Sequence, residues 1–186
     1  MKKKLALFVL CSTIAACSGT DASNTPNQGD VVKLGKLSGK APASWKEEKP
    51  SSTMRLSQFR LPKAEGDAED AELAIFFFES GGSVQDNIDR WKGMFTAPEG
   101  KSIDQVTKVE KFQVAGINTT YSDIHGTFAF KDMNKQNSKV QKKANYRHIG
   151  VILESPEGQY VLRLSGPAST IEAHKKGFDD WLKNLK

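Results

Sequence analysis

Cysteine is scarce in this chain of 186 residues: there are two, Cys11 and Cys17. Cys11 follows the apolar run Leu5–Leu10, in a segment with the marks of a cleaved leader, so the mature protein retains one thiol at most. A disulfide, a Cys–His nucleophilic pair and a thiolate zinc site are thereby excluded together. Histidine is equally sparse, with only His125, His148 and His174, and no HxH, HExxH or Cys–His spacing joins them. No GxSxG string offers a strained nucleophile turn. The acids Glu65, Asp67, Glu69, Asp70 and Glu72 lack the spacing and glycine of a calcium-binding helix–loop–helix. No metal or cofactor is called for. A long apolar run is also missing, because the N-terminal one is shorter than the roughly 20 residues a helix needs to cross a bilayer.

What the N-terminus does contain is an address. Lys2, Lys3 and Lys4 precede the apolar run, which continues through Ile14, Ala15 and Ala16 to Cys17. This order is that of a secretory signal, residues 1–16. Removing the three lysines from the 27 cations leaves 24 against 22 acids and lowers the formal charge from +5 to +2. So small an excess in an exported protein implies no nucleic-acid partner. The residues after Cys17, Ser18 to Asp30, are rich in Ser, Thr, Asn, Gly and Pro and carry too little apolar surface to fold, which suits a flexible tether.

Ile14-Ala15-Ala16-Cys17 resembles the bacterial lipobox, in which the cysteine is acylated and becomes the mature N-terminus; Ile14 stands where Leu is commonest. The resemblance implies a membrane anchor at Cys17. Each buried methylene contributes about 0.8 kcal/mol, so two or more acyl chains hold stably where one is marginal. Ser18 rather than Asp after the cysteine implies, by the sorting rule of that class, the outer membrane facing the periplasm.

Residues 31–186 are a typical size for one domain. "VVKLGKLSG" reads as a first strand, and "APASWKEEKP" as a turn carrying Trp45. "STMRLSQFRLP" changes apolar phase, so a strand with a bulge near Ser57–Gln58 is expected. The acidic stretch is loop, and the unbroken run Leu73–Phe78 predicts a strand buried on both faces. Ser83 and Asp86 open a helix whose apolar positions are Val84, Ile88, Trp91 and Phe95. Ala115–Gly116 joins two strands as a hairpin. Lys131 to Asn145 reads as polar loop, followed by a second hairpin around Pro156–Gly158. A final helix bears Ile171, Phe178, Trp181, Leu182 and Leu185, with Ser169 and Glu172 at capping-box spacing. The class predicted is α+β, an antiparallel sheet covered by helices.

Pro42-Ala43-Ser44-Trp45, the hairpin "YRHIGVILESPEGQYVLRLSG" and the terminal helix with Phe178, Trp181 and Leu185 look like the Mog1/PsbP-like group of α/β/α sandwiches. "GGSVQDNIDRW" with the downstream "LSGP" is similar to uncharacterised lipoproteins of planctomycete-type bacteria. The group implies a fold and an accessory, non-enzymatic role, and it brings no ligand residues with it.

Two sets of residues stand out by chemistry. Asp123 and His125 share one side of a predicted strand, and His148 on a neighbouring strand would complete a metal or acid–base cluster. Lys139, Lys142 and Lys143 lie in a basic loop able to touch an acidic partner or anionic headgroups. His174, next to Lys175, reads as a solvated surface residue. The first expectation is therefore a lipid-anchored envelope protein that binds a partner; the second is an envelope hydrolase or small-ligand enzyme using the His/Asp cluster.

Overall fold

The computed structural model describes residues 28–130 and 139–186. The expected signal peptide, Cys17 and most of the tether lie outside the described residues, as do Lys131 and Lys135. β1 (Gln28–Leu34) and β2 (Leu37–Pro42) form a hairpin of their own. "VVKLGKLSG" is thus two strands rather than one, because Gly35 at φ 59° supplies the left-handed residue a two-residue turn needs. β1 begins at Gln28 rather than Val31, inside the stretch expected as tether.

The main sheet comprises β3 (Lys46–Glu48), β4 (Arg55–Leu61), β5 (Ala71–Phe78), β6 (Phe95–Thr96), β7 (Thr107–Val114), β8 (Ile117–Phe130), β9 (Gln141–Ser155) and β10 (Gly158–Pro167). Its order is β3-β4-β5-β10-β9-β8-β6, and β7 continues along the edge of β8 that β6 begins. Every pairing is antiparallel. With α1 (Val84–Lys92) and α2 (Ala168–Lys183) on opposite faces, the architecture is the expected α+β.

Alternation along the strands sends the two sets of side chains into two cores. Leu73, Ile75, Ile149, Val151, Leu162 and Leu164 lie beneath α2, joined by Phe178, Trp181, Trp45 and the hairpin's Leu34 and Leu37. Ile124, Ile152 and Val161 lie beneath Ile88 and Trp91 of α1. Each fully buried large apolar side chain contributes about 1.5–3 kcal/mol, so both faces are held by burial. Cover on the α1 side stops short of β5. Phe76 is consequently half-buried and Phe78 37% exposed, where burial on both faces had been expected.

The helix ends follow local chemistry with two departures. Ser83 Oγ accepts from the Asp86 N–H at 3.1 Å, the cap the sequence predicts. The helix then stops at Lys92, and Phe95 instead begins β6 opposite Phe128. At α2 no capping box forms. The Asp67 carboxylate accepts from the Thr170 N–H at 2.8 Å and from Thr170 Oγ1 at 2.6 Å, while Glu172 turns to Arg147. A cap from a distant segment leaves no sequence signature.

The bulge in β4 falls between Arg55 and Ser57, one position before the expected site. The segment from Gln141 onward is strand, not loop, since its backbone pairs with Phe128–Phe130 across a register shift, and Asn145 takes φ 53°. Ladder hydrogen bonds override polar composition there. The hairpin at Ala115–Gly116 forms as predicted, with φ of 48° and 82°.

Gly150 on β9 is the floor on which Trp91 lies. A Cβ there would stand 2.3 Å from a carbon of the indole ring. Gly150→Ala is expected to cost about 1–3 kcal/mol of stability through overpacking, and Gly150→Ala with Trp91→Leu to recover part of it. Thermal unfolding monitored by circular dichroism checks both.

Candidate functional site

Register decides the fate of the predicted cluster. Asp123 pairs with Ile149 and His125 with Arg147, so those side chains face α2; His148 pairs with Ile124 and faces α1. The sheet therefore separates His148 from Asp123 and His125, and no three-residue site forms from them. Among the described residues, no group of three or more His, Cys, Asp or Glu side chains is placed to hold a metal.

Arg147 takes the place expected of His148. Its Nε and Nη2 donate to the two Asp123 carboxylate oxygens at 2.8 and 2.6 Å, and Nη1 donates to Glu172. His125 Nε2 approaches the same carboxylate at 3.3 Å from an exposed position. Burial alone would raise the Asp123 pKa, but the hydrogen bonds and charges of Arg147 and His125 hold it well below the usual carboxylate range. Such a carboxylate is ionised and saturated with donors, which makes it a clamp between β8, β9 and α2 rather than a proton acceptor.

His148 is buried, with Nδ1 2.7 Å from Ser165 Oγ and its ring against Trp91 and Phe95. Its Nε2 has no partner among the described residues. Burial, with help from Arg163, pushes its pKa down to about 3. His174 is half-buried, its Nε2 2.8 Å from the Pro62 carbonyl, and not the solvated residue expected.

The three lysines divide similarly. Lys143 reaches Glu69 at 2.5 Å and lies over the rings of Phe130 and Tyr146. It ties β9 to the acidic loop. Lys139 and Lys142 are exposed.

A groove that the sequence did not announce runs between the outer edge of β2 and the end of α2, with a volume of about 1110 Å³. Gly39, Lys40 and Pro42 form one wall, and Gly177, Asp180 and Trp181 the other. Gly39 lets α2 approach: a Cβ there would stand 2.9 Å from Leu185 and 3.1 Å from Trp181 Nε1. That indole nitrogen is buried without a partner among the described residues. The Ser38 N–H donates to the Lys186 carbonyl at 2.8 Å, and the Lys186 N–H to the Ser38 carbonyl at 3.1 Å. This is the reciprocal bonding of an antiparallel strand pair, formed on the outer edge of β2. By two-residue alternation the N–H and C=O of Lys40 face the same way, into the groove.

No protein-family model matches the chain, and no curated relative is found. Among solved structures, a Pseudomonas aeruginosa protein of unknown function (PA94) matches at 12% identity and a TM-score of 0.45, covering 84% of this chain and 95% of its own. Cyanobacterial PsbP (CyanoP) from Synechocystis matches at 13% identity and a TM-score of 0.48, covering 91% of this chain and 98% of its own.

Proposed function

We propose that the protein is a lipid-anchored binding module of the bacterial envelope, held by an acylated Cys17, whose groove between β2 and α2 takes an extended segment of an envelope partner protein. The observation that carries this reading is the edge of β2: the chain's own Lys186 already pairs with it as a strand would. The next outward-facing residue, Lys40, borders an open groove. Extended peptides bind sheet edges through main-chain hydrogen bonds, with side-chain pockets supplying selectivity. Trp181, packed in the core behind the groove, holds the wall rigid rather than presenting its ring to a ligand. The lipobox resemblance and the polar tether support the anchor, and the likeness in sequence to Mog1/PsbP-like exported lipoproteins supports an accessory role. The alternative, a hydrolase using Asp123, His125 and His148, has the sheet between its residues.

The test places a photo-cross-linking amino acid at Ala43, at the lip of the groove, in the full chain expressed in its own envelope. Gly177 lines the groove in a helix, and a Cβ there meets only Pro42 at ordinary contact distance. Gly177→Leu therefore fills the groove while gaining up to about 1 kcal/mol of helix propensity. The expected result is a discrete adduct in wild type that disappears in Gly177→Leu at undiminished thermal stability. An adduct that persists in the filled variant overturns the groove as the binding site. In parallel, Cys17→Ala is expected to lose palmitate label and to fractionate as soluble protein; retained label refutes the anchor.

A further inference from the structure

The face of β4, β5 and β10 that α1 leaves uncovered carries a concentration of arginine without matching acid. Arg55 and Arg163 lie on either side of Phe76, each with its guanidinium carbon 5.9 Å from the ring centroid. Arg90 on α1 stands close enough to Arg163 to oppose its charge, as does Arg55. Among the described residues the carboxylate that acts on Arg163 is Glu72, and Arg55 already holds it at 2.9 Å. Arg55 also donates to Gln58, and Arg90 to Asn87. Arg163 alone makes no hydrogen bond or ion pair among the described residues, and its Nε is fully buried without an acceptor.

A largely buried cation with two like charges for neighbours is an unstable arrangement in isolation. Burying a charged group is costly unless it is paired and hydrogen-bonded. Stacking on Phe76 offsets a fraction of that and satisfies no N–H group. What complements a guanidinium fork is an oxyanion, accepted bidentately. We propose that this face is a binding site for a small oxyanion, a carboxylate or phosphate group, received by Arg163 with Arg55 and Arg90 as flanking charge. Phe76 and Phe78, stacked 9° from parallel with centroids 6.2 Å apart and Phe78 open to solvent, form an aromatic platform beside it. A carboxylate borne on a planar apolar body meets both features. The site is independent of the groove beside β2, from which it is separated by the sheet and its α2-side core.

The test uses the full chain and two probes, inorganic phosphate and benzoate, each measured against chloride at equal ionic strength. A ligand that binds only the folded state raises the unfolding temperature saturably. At least one probe is expected to do so in wild type. Arg163→Met is expected to abolish that rise and, with no probe present, to unfold at a higher temperature than wild type, since an uncompensated charge has been removed. Arg163→Lys, which keeps charge but loses the fork, should weaken binding by about tenfold. A rise with phosphate alone assigns a phosphate ligand, and a rise with benzoate alone a carboxylate over the aromatic platform. Absence of any rise in wild type overturns the site, as does an equal rise in Arg163→Met or with chloride. An Arg163→Met protein less stable than wild type, in the same circumstance, makes Arg163 a packing residue on Phe76.

Discussion

Asp123→Ala is expected to lower the stability of the fold by about 3–5 kcal/mol, because it strands the Arg147 guanidinium inside the protein. Both side chains of the pair are only 8% exposed, and Arg147 spends two of its N–H groups on the one carboxylate. Glu172 remains on Nη1, but at 71% exposure it is a partner in water and compensates little. The double replacement Asp123→Leu with Arg147→Leu removes both charges and keeps apolar volume, so its loss should be markedly smaller than that of Asp123→Ala. The sign of the pH dependence follows from the depressed pKa of Asp123. The carboxylate contributes its stability above the ordinary unfolded value near 3.9, and that contribution is lost as pH falls through the lower folded value. Denaturant unfolding at neutral pH measures the three proteins directly. A single mutant as stable as the double would show that the pair is not what Arg147 depends on.

The same residues mark where sequence reasoning reaches and where it stops. Local chemistry was legible: Ser83 caps α1, Ala115–Gly116 turns the β7–β8 hairpin, and the apolar stripe of α2 faces the core. Each depends on residues within a few positions of one another. What could not be read depends on register between distant strands. Alternation on one strand puts Asp123 and His125 on the same side, yet whether His148 faces them is fixed by which residue of β9 lies opposite Ile124. A shift of one residue inverts the answer. Arg147 sits beside His148 in the chain and gained the role for that reason alone.

The acidic loop is the converse case. Its composition predicts solvated loop, while Asp67 caps α2, Glu69 holds Lys143 and Asp70 holds Arg60. Those partners lie far along the chain or across it, so the charges read as solvation until the fold is built. Phe95 departed for a related reason. Helical spacing continues past Lys92, but the backbone of Phe95 pairs with Phe128 on β8, a partner 33 positions further along the chain.

His148 gives the second large effect, an acid sensitivity beginning well above the carboxylate range. Among the described residues no anion is in contact with it: Ser165 on β10, Trp91 on α1 and Phe95 on β6 enclose the ring, Arg163 opposes a positive charge, and Asp123 on the far face of the sheet favours one weakly. Burial is the dominant cause, and the folded-state pKa falls to about 3. The unfolded chain takes up a proton near pH 6.5, where the folded one does not. Stability contributed by the neutral ring is therefore fully present above about pH 6.5 and declines as pH falls, by about 1.4 kcal/mol per pH unit until the folded value is reached. Between pH 6.5 and 5, before most carboxylates titrate, the loss should be about 2 kcal/mol, and over the whole interval on the order of 4 kcal/mol. His148→Asn keeps a polar group near Ser165 and removes the titration, so it should be less stable than wild type at neutral pH but flatter from 6.5 to 5. Parallel pH profiles for the two proteins would sink this account, because burial of the neutral ring is the one feature that the substitution removes from the proton balance.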